Sequence, residues 1–165
     1  MKGDLIIWPD EMLAVPSVEV NPLDINPIFL DKMFKVMYAN KGVGLSAIQL
    51  GVPLRIFVMD VSTDKSGSMV CINPVIKEFI GPTEEMNEGC LSFPGIFEKV
   101  IRFPEVIFEC ENFKGEKNTY QVAGTESQCV QHEIDHLNGK TMADSWLRVK
   151  KDIVKRKIKK ALAGK

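Results

Sequence analysis

The chain has 165 residues, 45% apolar and 26% charged, which fits one soluble globular domain with one substantial core. No apolar run approaches the roughly 20 residues that a membrane-spanning helix needs. The net charge of −1 hides an asymmetry: Arg148–Lys165 carries nine Lys/Arg against one acid, Asp152, leaving 12 bases against 21 acids elsewhere. A basic tail on an acidic body points to an anionic partner for the tail, with a merely solvated helix face as the plainer alternative.

The N-terminal stretch from Met1 to Asp10 lacks a long apolar segment and soon turns acidic, so the chain reads as a cytoplasmic protein with no removable presequence. Residues 1–24 read as irregular, broken by Pro9, Pro16 and Pro22. Between Pro27 and Asn40, Ile28, Leu30, Met33, Phe34, Val36 and Met37 recur at helical spacing, and the Lys41-Gly42-Val43-Gly44 stretch ends that helix. The β-branched run Leu54–Val61 predicts a strand. Short strands are predicted at 69–72, 75–80, 83–87, 99–103, 105–112 and 117–122, separated by Asn-Pro, Gly-Pro and Lys-Gly signals, with a hairpin turn at Asn112–Gly115. Gly124–Leu137 predicts a second helix, stopped by Asn138-Gly139. Residues 146–163 predict a third, with Leu147, Val154, Ile158, Ala161 and Leu162 on one face and bases on the rest. The order implies an α+β fold with antiparallel sheets.

The four cysteines form no CxxC pair, and nothing marks an oxidising compartment. Cys71, Cys110 and Cys129 read as small buried hydrophobes. Cys90 lies in a different setting, within Glu88-Gly89-Cys90-Leu91-Ser92.

The chemistry centres on His132-Glu133-Ile134-Asp135-His136, which contains both histidines of the chain. Residues four apart on a helix share a face, so both imidazoles can reach one cation. Glu133 adjoins the first of them and can stand beside the metal as a general base instead of binding it. Two ligands make a weak site, and catalytic sites of this kind use three with a position left open. No histidine lies downstream, and neither Asp144 nor Asp152 has suitable surroundings. Upstream, Cys90 offers a thiolate in a glycine-containing turn, although a lone cysteine also reads as a core thiol. Gly42-Val43-Gly44-Leu45-Ser46-Ala47-Ile48-Gln49 suits a backbone lining a narrow cleft, and the Gln49 amide can donate to a developing oxyanion.

Together, GVGLSAIQ, EGCLS and HEIDH resemble, in order and separation, the three motifs of the peptide deformylase family. Ile7–Asp10, Ile56–Asp60, Ile72-Asn73-Pro74 and His136–Lys140 also look like the family, so the resemblance covers residues 5–160. It implies antiparallel sheets packed around a central metal-binding helix, and hydrolysis of the N-formyl group from the formylmethionine of new polypeptides, releasing formate. Cys90, His132 and His136 would bind the metal. The resemblance favours Fe(II), with zinc, nickel or cobalt able to occupy the site, whereas the residues alone would say zinc. Glu133 would move the proton, while Gln49 and the Leu91 N–H would stabilise the oxyanion.

On the same resemblance, Val43 and the Gly124–Cys129 turn, with Cys129, would wall a pocket for the methionine side chain. Gly44 and Gly89 would offer backbone contact to the peptide. Glu88 and Asp135 would support the ligands, with Arg102 pairing one of them or standing as an ordinary surface base. The basic C-terminal helix at 148–165 would suit ribosomal RNA phosphates, and the enzyme would be a monomer. Three positions depart from the family: Ser46, where alanine is usual, and Thr125 and Gln128, where apolar residues are usual. Two other readings compete: a zinc endopeptidase, which shares HExxH but takes its third ligand downstream, and a metal-stapled RNA- or ribosome-binding module without catalysis.

Overall fold

The structure is a computed structural model that describes residues 5–164. The first four residues of the stretch read for a presequence, and Lys165 of the basic tail, lie outside that range. Helix α1 spans Pro27–Ala39; the Asn26 side chain accepts from the Ile28 N–H and Pro27 occupies the first turn, where its missing N–H is harmless. Helix α2 spans Thr125–Leu137, and α3 spans Arg148–Ala163. Seven strands complete the fold: β1 (Gly44–Ser46), β2 (Ile56–Met59), β3 (Met69–Ile80), β4 (Glu84–Gly89), β5 (Phe97–Arg102), β6 (Glu105–Glu111) and β7 (Lys117–Ala123).

Strands β1-β2-β3-β6-β7 form an antiparallel sheet in that order, and β4-β5 form a separate hairpin. The alternation of a strand sets the layers. Ile56 and Val58 of β2 turn toward α1, where they meet Met33, Val36 and Met37. Phe57 and Met59 turn the other way, joining Cys71, Val106 and Phe108 beneath Val130, Ile134 and Leu137 of α2. All four β2 residues are therefore buried, and the sheet lies between two helices. No described helix is long and apolar enough to cross a membrane.

Three elements differ from the sequence expectation. The predicted breaks at Asn73-Pro74 do not divide a strand. Strand β3 runs through them with a register shift between Ile72 and Val75. Asn73 takes φ 49° there, and Pro74 falls in the gap where no ladder donor is required. Gly44–Ser46, read as cleft-lining backbone, is also an edge strand, with Gly44 paired to Met59. On α3, only Val154 and Ile158 of the predicted apolar face are buried, while Leu147 is 81% exposed and Leu162 48%. Val154 and Ile158 pack on Phe93, Ile96 and Trp146. The basic helix thus braces the turn that follows Cys90, where the Phe93 N–H donates to the Cys90 carbonyl at 2.9 Å.

Candidate metal centre and active-site cleft

One turn of α2 carries His132, Glu133 and His136, all buried. The two imidazole Nε2 atoms lie 3.1 Å apart, and Cys90 Sγ lies 3.2 Å from His136 Nε2. The three donor atoms all fall within 4.8 Å of one another. Tetrahedral ligation, with metal–nitrogen bonds of about 2.0 Å and metal–sulfur bonds of about 2.3 Å, needs a nitrogen–nitrogen edge of about 3.3 Å and a nitrogen–sulfur edge of about 3.5 Å, near the 3.1 and 3.2 Å of these two edges. Three lone-pair donors, two of them buried imidazoles and one a half-buried thiol, converge as a divalent cation requires. Burial and the charge of His132 hold His136 well below the usual histidine range, while His132 itself, against the pull of burial, is held well above it by Cys90 and Glu88.

The orientation of His132 is set from behind. Its Nδ1 meets Glu88 Oε1 at 2.5 Å, which turns Nε2 toward the centre. Arg102 forks onto both Glu88 oxygens, at 3.0 Å from Nε and 2.9 Å from Nη2, and its Nη1 reaches Asp135 at 2.6 Å. Arg102 therefore pairs with both acids, where the sequence reading left open a pair with one of them or an ordinary surface base. Burial disfavours the Glu88 carboxylate, but the bonds from His132 and Arg102 outweigh it and hold its pKa at about 2.

Glu133 is 3% exposed. Burial raises its pKa above the usual carboxylate value, against the opposing pull of His132 and of the Ser46 hydroxyl. Gly44 is required by space alone: a Cβ there would lie 2.5 Å from Glu133 Oε1 and 2.7 Å from Cys129 Sγ. The Gln49 carbonyl oxygen accepts from the Ser46 N–H at 2.9 Å. Its Nε2 donates to Ser92 Oγ at 3.0 Å and lies 3.5 Å from Cys90 Sγ, so the amide is held at the rim of the ligand triangle. The Leu91 N–H makes no backbone hydrogen bond among the described residues.

These groups face a cleft of about 520 Å³, which Val43, Gly44, Gly89, Leu91 and Cys129 also line. The residues singled out in the sequence for metal, base, oxyanion and peptide-backbone contact line this cleft, apart from His136, and of the Gly124–Cys129 turn only Thr125, Gln128 and Cys129 do so. Thr125, Gln128, Cys129 and His132 form one face of α2 along the cleft wall. Gln128 Nε2 donates across to the Asn87 carbonyl at 2.8 Å. Sequence reasoning assigned no role to Ser92, although it belongs to the EGCLS motif; only its contact with Gln49 reveals one.

A family model for polypeptide deformylase matches residues 3–152. The chain belongs to the polypeptide deformylase family. It is 41% identical to a peptide deformylase of Hahella chejuensis over 160 residues, covering 96% of this chain and 95% of that one. Identity to a peptide deformylase of Neisseria meningitidis is 42% over 159 residues, covering 95% and 94%. A crystal structure of a peptide deformylase from Legionella pneumophila superimposes with a TM-score of 0.90 at 36% identity, covering 96% of this chain and 94% of that one. As a deformylase, the chain is a metal-dependent hydrolase that removes the formyl group from the N-terminal methionine of nascent peptides.

Proposed function

We propose that Cys90, His132 and His136 hold the catalytic metal, with Glu133 as the proton-transfer group and Gln49 with the Leu91 N–H as oxyanion donors. The observation that carries this reading is the convergence of a half-buried Cys90 on buried His132 and His136, which share one helical turn with a nearly enclosed carboxylate. A metal held there supplies Lewis acidity and lowers the pKa of water by several units. Glu133 takes a proton from the attacking water and delivers it to the departing amine nitrogen. The water oxygen bonds to the formyl carbon, the carbon–nitrogen bond breaks, and formate and a free amine leave. The Gln49 amide and the Leu91 N–H donate to the carbonyl oxygen as it gains charge. A formyl carbon bears only hydrogen, which suits a close-walled site. Val43 and Cys129 wall the methionine pocket, and Gly44 and Gly89 allow the peptide backbone to approach.

Fe(II) is the proposed metal, in line with the family resemblance, while the mixed thiolate and imidazole set also takes zinc, nickel or cobalt. The deciding measurement is formate release from formyl-Met-Ala-Ser by anaerobically prepared protein, with metal analysis of the same sample. Turnover should track iron content and vanish in Glu133→Gln. Formate release by wild type no greater than by that variant would remove Glu133 from the proton-transfer step.

One catalytic domain, cytoplasmic and monomeric, accounts for the whole chain on this reading. The exposed bases of α3, among them Lys157, Lys159 and Lys160, are proposed to meet ribosomal RNA phosphates. Replacing these three by Glu leaves Val154 and Ile158 packed, so the fold is spared. Ribosome co-sedimentation at low salt should fall, and unchanged co-sedimentation would remove this partner.

A further inference from the structure

We propose that Ser46 is a positioning residue for the deformylation site, holding the general base with its side chain and the oxyanion donor with its backbone. The inference rests on the roles given above to Glu133 and Gln49. Ser46 is the last residue of β1 and has no exposed surface. Its hydroxyl lies 2.5 Å from Glu133 Oε2 and 3.1 Å from the Glu133 carbonyl oxygen. A hydroxyl has one proton to give, and the shorter contact to the carboxylate is the charge-assisted one. Its N–H donates to Gln49 Oε1 at 2.9 Å. One residue therefore ties together two groups that lie on different elements and act on different atoms of the same formamide.

The geometry has a consequence for the carboxylate. A glutamate has three side-chain torsions, and a proton-transfer group must present one oxygen in one place. Ser46 occupies Oε2. Oε1, which accepts no side-chain hydrogen bond among the described residues, lies over Gly44 at the cleft. Gln49 is oriented in the same way. With its Oε1 taken by the Ser46 N–H, the amide nitrogen points toward Ser92 and Cys90, at the rim of the ligand triangle.

Substitution separates the two links. Ser46→Ala removes the hydroxyl and leaves the N–H on Gln49, so it tests the Glu133 link alone. Turnover of formyl-Met-Ala-Ser by Ser46→Ala should show kcat lowered by about tenfold, with KM within about twofold of wild type. Metal content and thermal midpoint should be unchanged, and Ser46→Thr, which keeps the hydroxyl, should restore kcat. An unchanged kcat in Ser46→Ala overturns the proposal. So does a joint change in kcat, KM and metal content, which would mark a purely structural serine, and so does a folded Ser46→Thr that remains slow. If Ser46→Thr does not fold, the kcat and KM of Ser46→Ala decide. Glu133→Gln is assayed alongside: if it retains activity, the general-base reading has failed, whereas an inactive Glu133→Gln beside a fully active Ser46→Ala rejects the role of Ser46 alone.

Discussion

The five-stranded sheet and the β4–β5 hairpin both hold α2, and they do so by different physics. On the sheet side, alternate residues of β6 (Val106, Phe108, Cys110) are buried against Val130, Ile134 and Leu137. That contact is apolar and non-directional. On the hairpin side, most residues of β4 and β5 are at least partly exposed, and the link to α2 is polar. It comprises Glu88 to His132, Arg102 to Asp135 and Asn87 to Gln128. The sheet fixes where the helix lies. The hairpin fixes which way its ligands point and brings the third ligand, Cys90, to them. A site assembled from one rigid wall and one polar wall can be tuned without disturbing the core.

The strongest break in this comparison is Cys90→Ala. Two histidines remain on α2, but bound metal and formate release should both be lost, the latter by more than about 1000-fold, as measured by metal analysis and turnover. Retained metal would show that the third ligand lies elsewhere than at Cys90. On the sheet side, Phe108→Ala should lower stability by about 3–5 kcal/mol in urea unfolding, while the folded fraction still binds metal. Arg102→Leu should act chiefly on the metal, with affinity weakened about 10–100-fold through loss of the support behind Glu88 and His132, and with a smaller loss of stability.

The two walls should also separate in pH. Because the folded Glu88 pKa of about 2 lies below its unfolded value, its stabilisation is complete above about 4.3 and fades as pH falls toward 2. In metal-free protein, the destabilisation by Arg102→Leu should therefore shrink on acidification through that window, while that by Phe108→Ala should not. Equal pH dependence for both variants would erase the distinction. The smallest expected effect lies at the far end of the cleft. Gln128→Leu removes the polar strap to Asn87, so turnover of formyl-Met peptides should rise relative to formyl-Gln peptides by a few-fold, about 1 kcal/mol. An unchanged ratio of kcat/KM would separate Gln128 from side-chain selection.

Much of the site was legible because its residues come in short local patterns. His132, Glu133 and His136 are related by the helical repeat alone, so their convergence needed no tertiary information. The helices were legible for the same reason: α1 and α2 begin and end within a residue or two of their sequence-predicted limits. The misread elements obeyed non-local rules. Pro74 looked like a strand breaker, and only the bulge in the β3–β6 pairing absorbs it. Leu147 and Leu162 satisfied the apolar periodicity of α3, but the surface offered to that helix is narrow enough to bury only Val154 and Ile158.

What the sequence determined by itself was therefore the chemistry available: two imidazoles and a carboxylate on one turn, a thiol in a glycine turn, an amide in a small-residue segment, and a basic helix. What the tertiary structure decided was how those groups are held. Arg102 joins Glu88 and Asp135 rather than one of them, Ser92 faces Gln49, and the Ser46 hydroxyl reaches Glu133 across 87 positions of sequence. The reason is physical: hydrogen bonds depend on position and angle to within tenths of an ångström, and residues distant in the chain acquire that precision only when the sheet, the hairpin and α2 pack together.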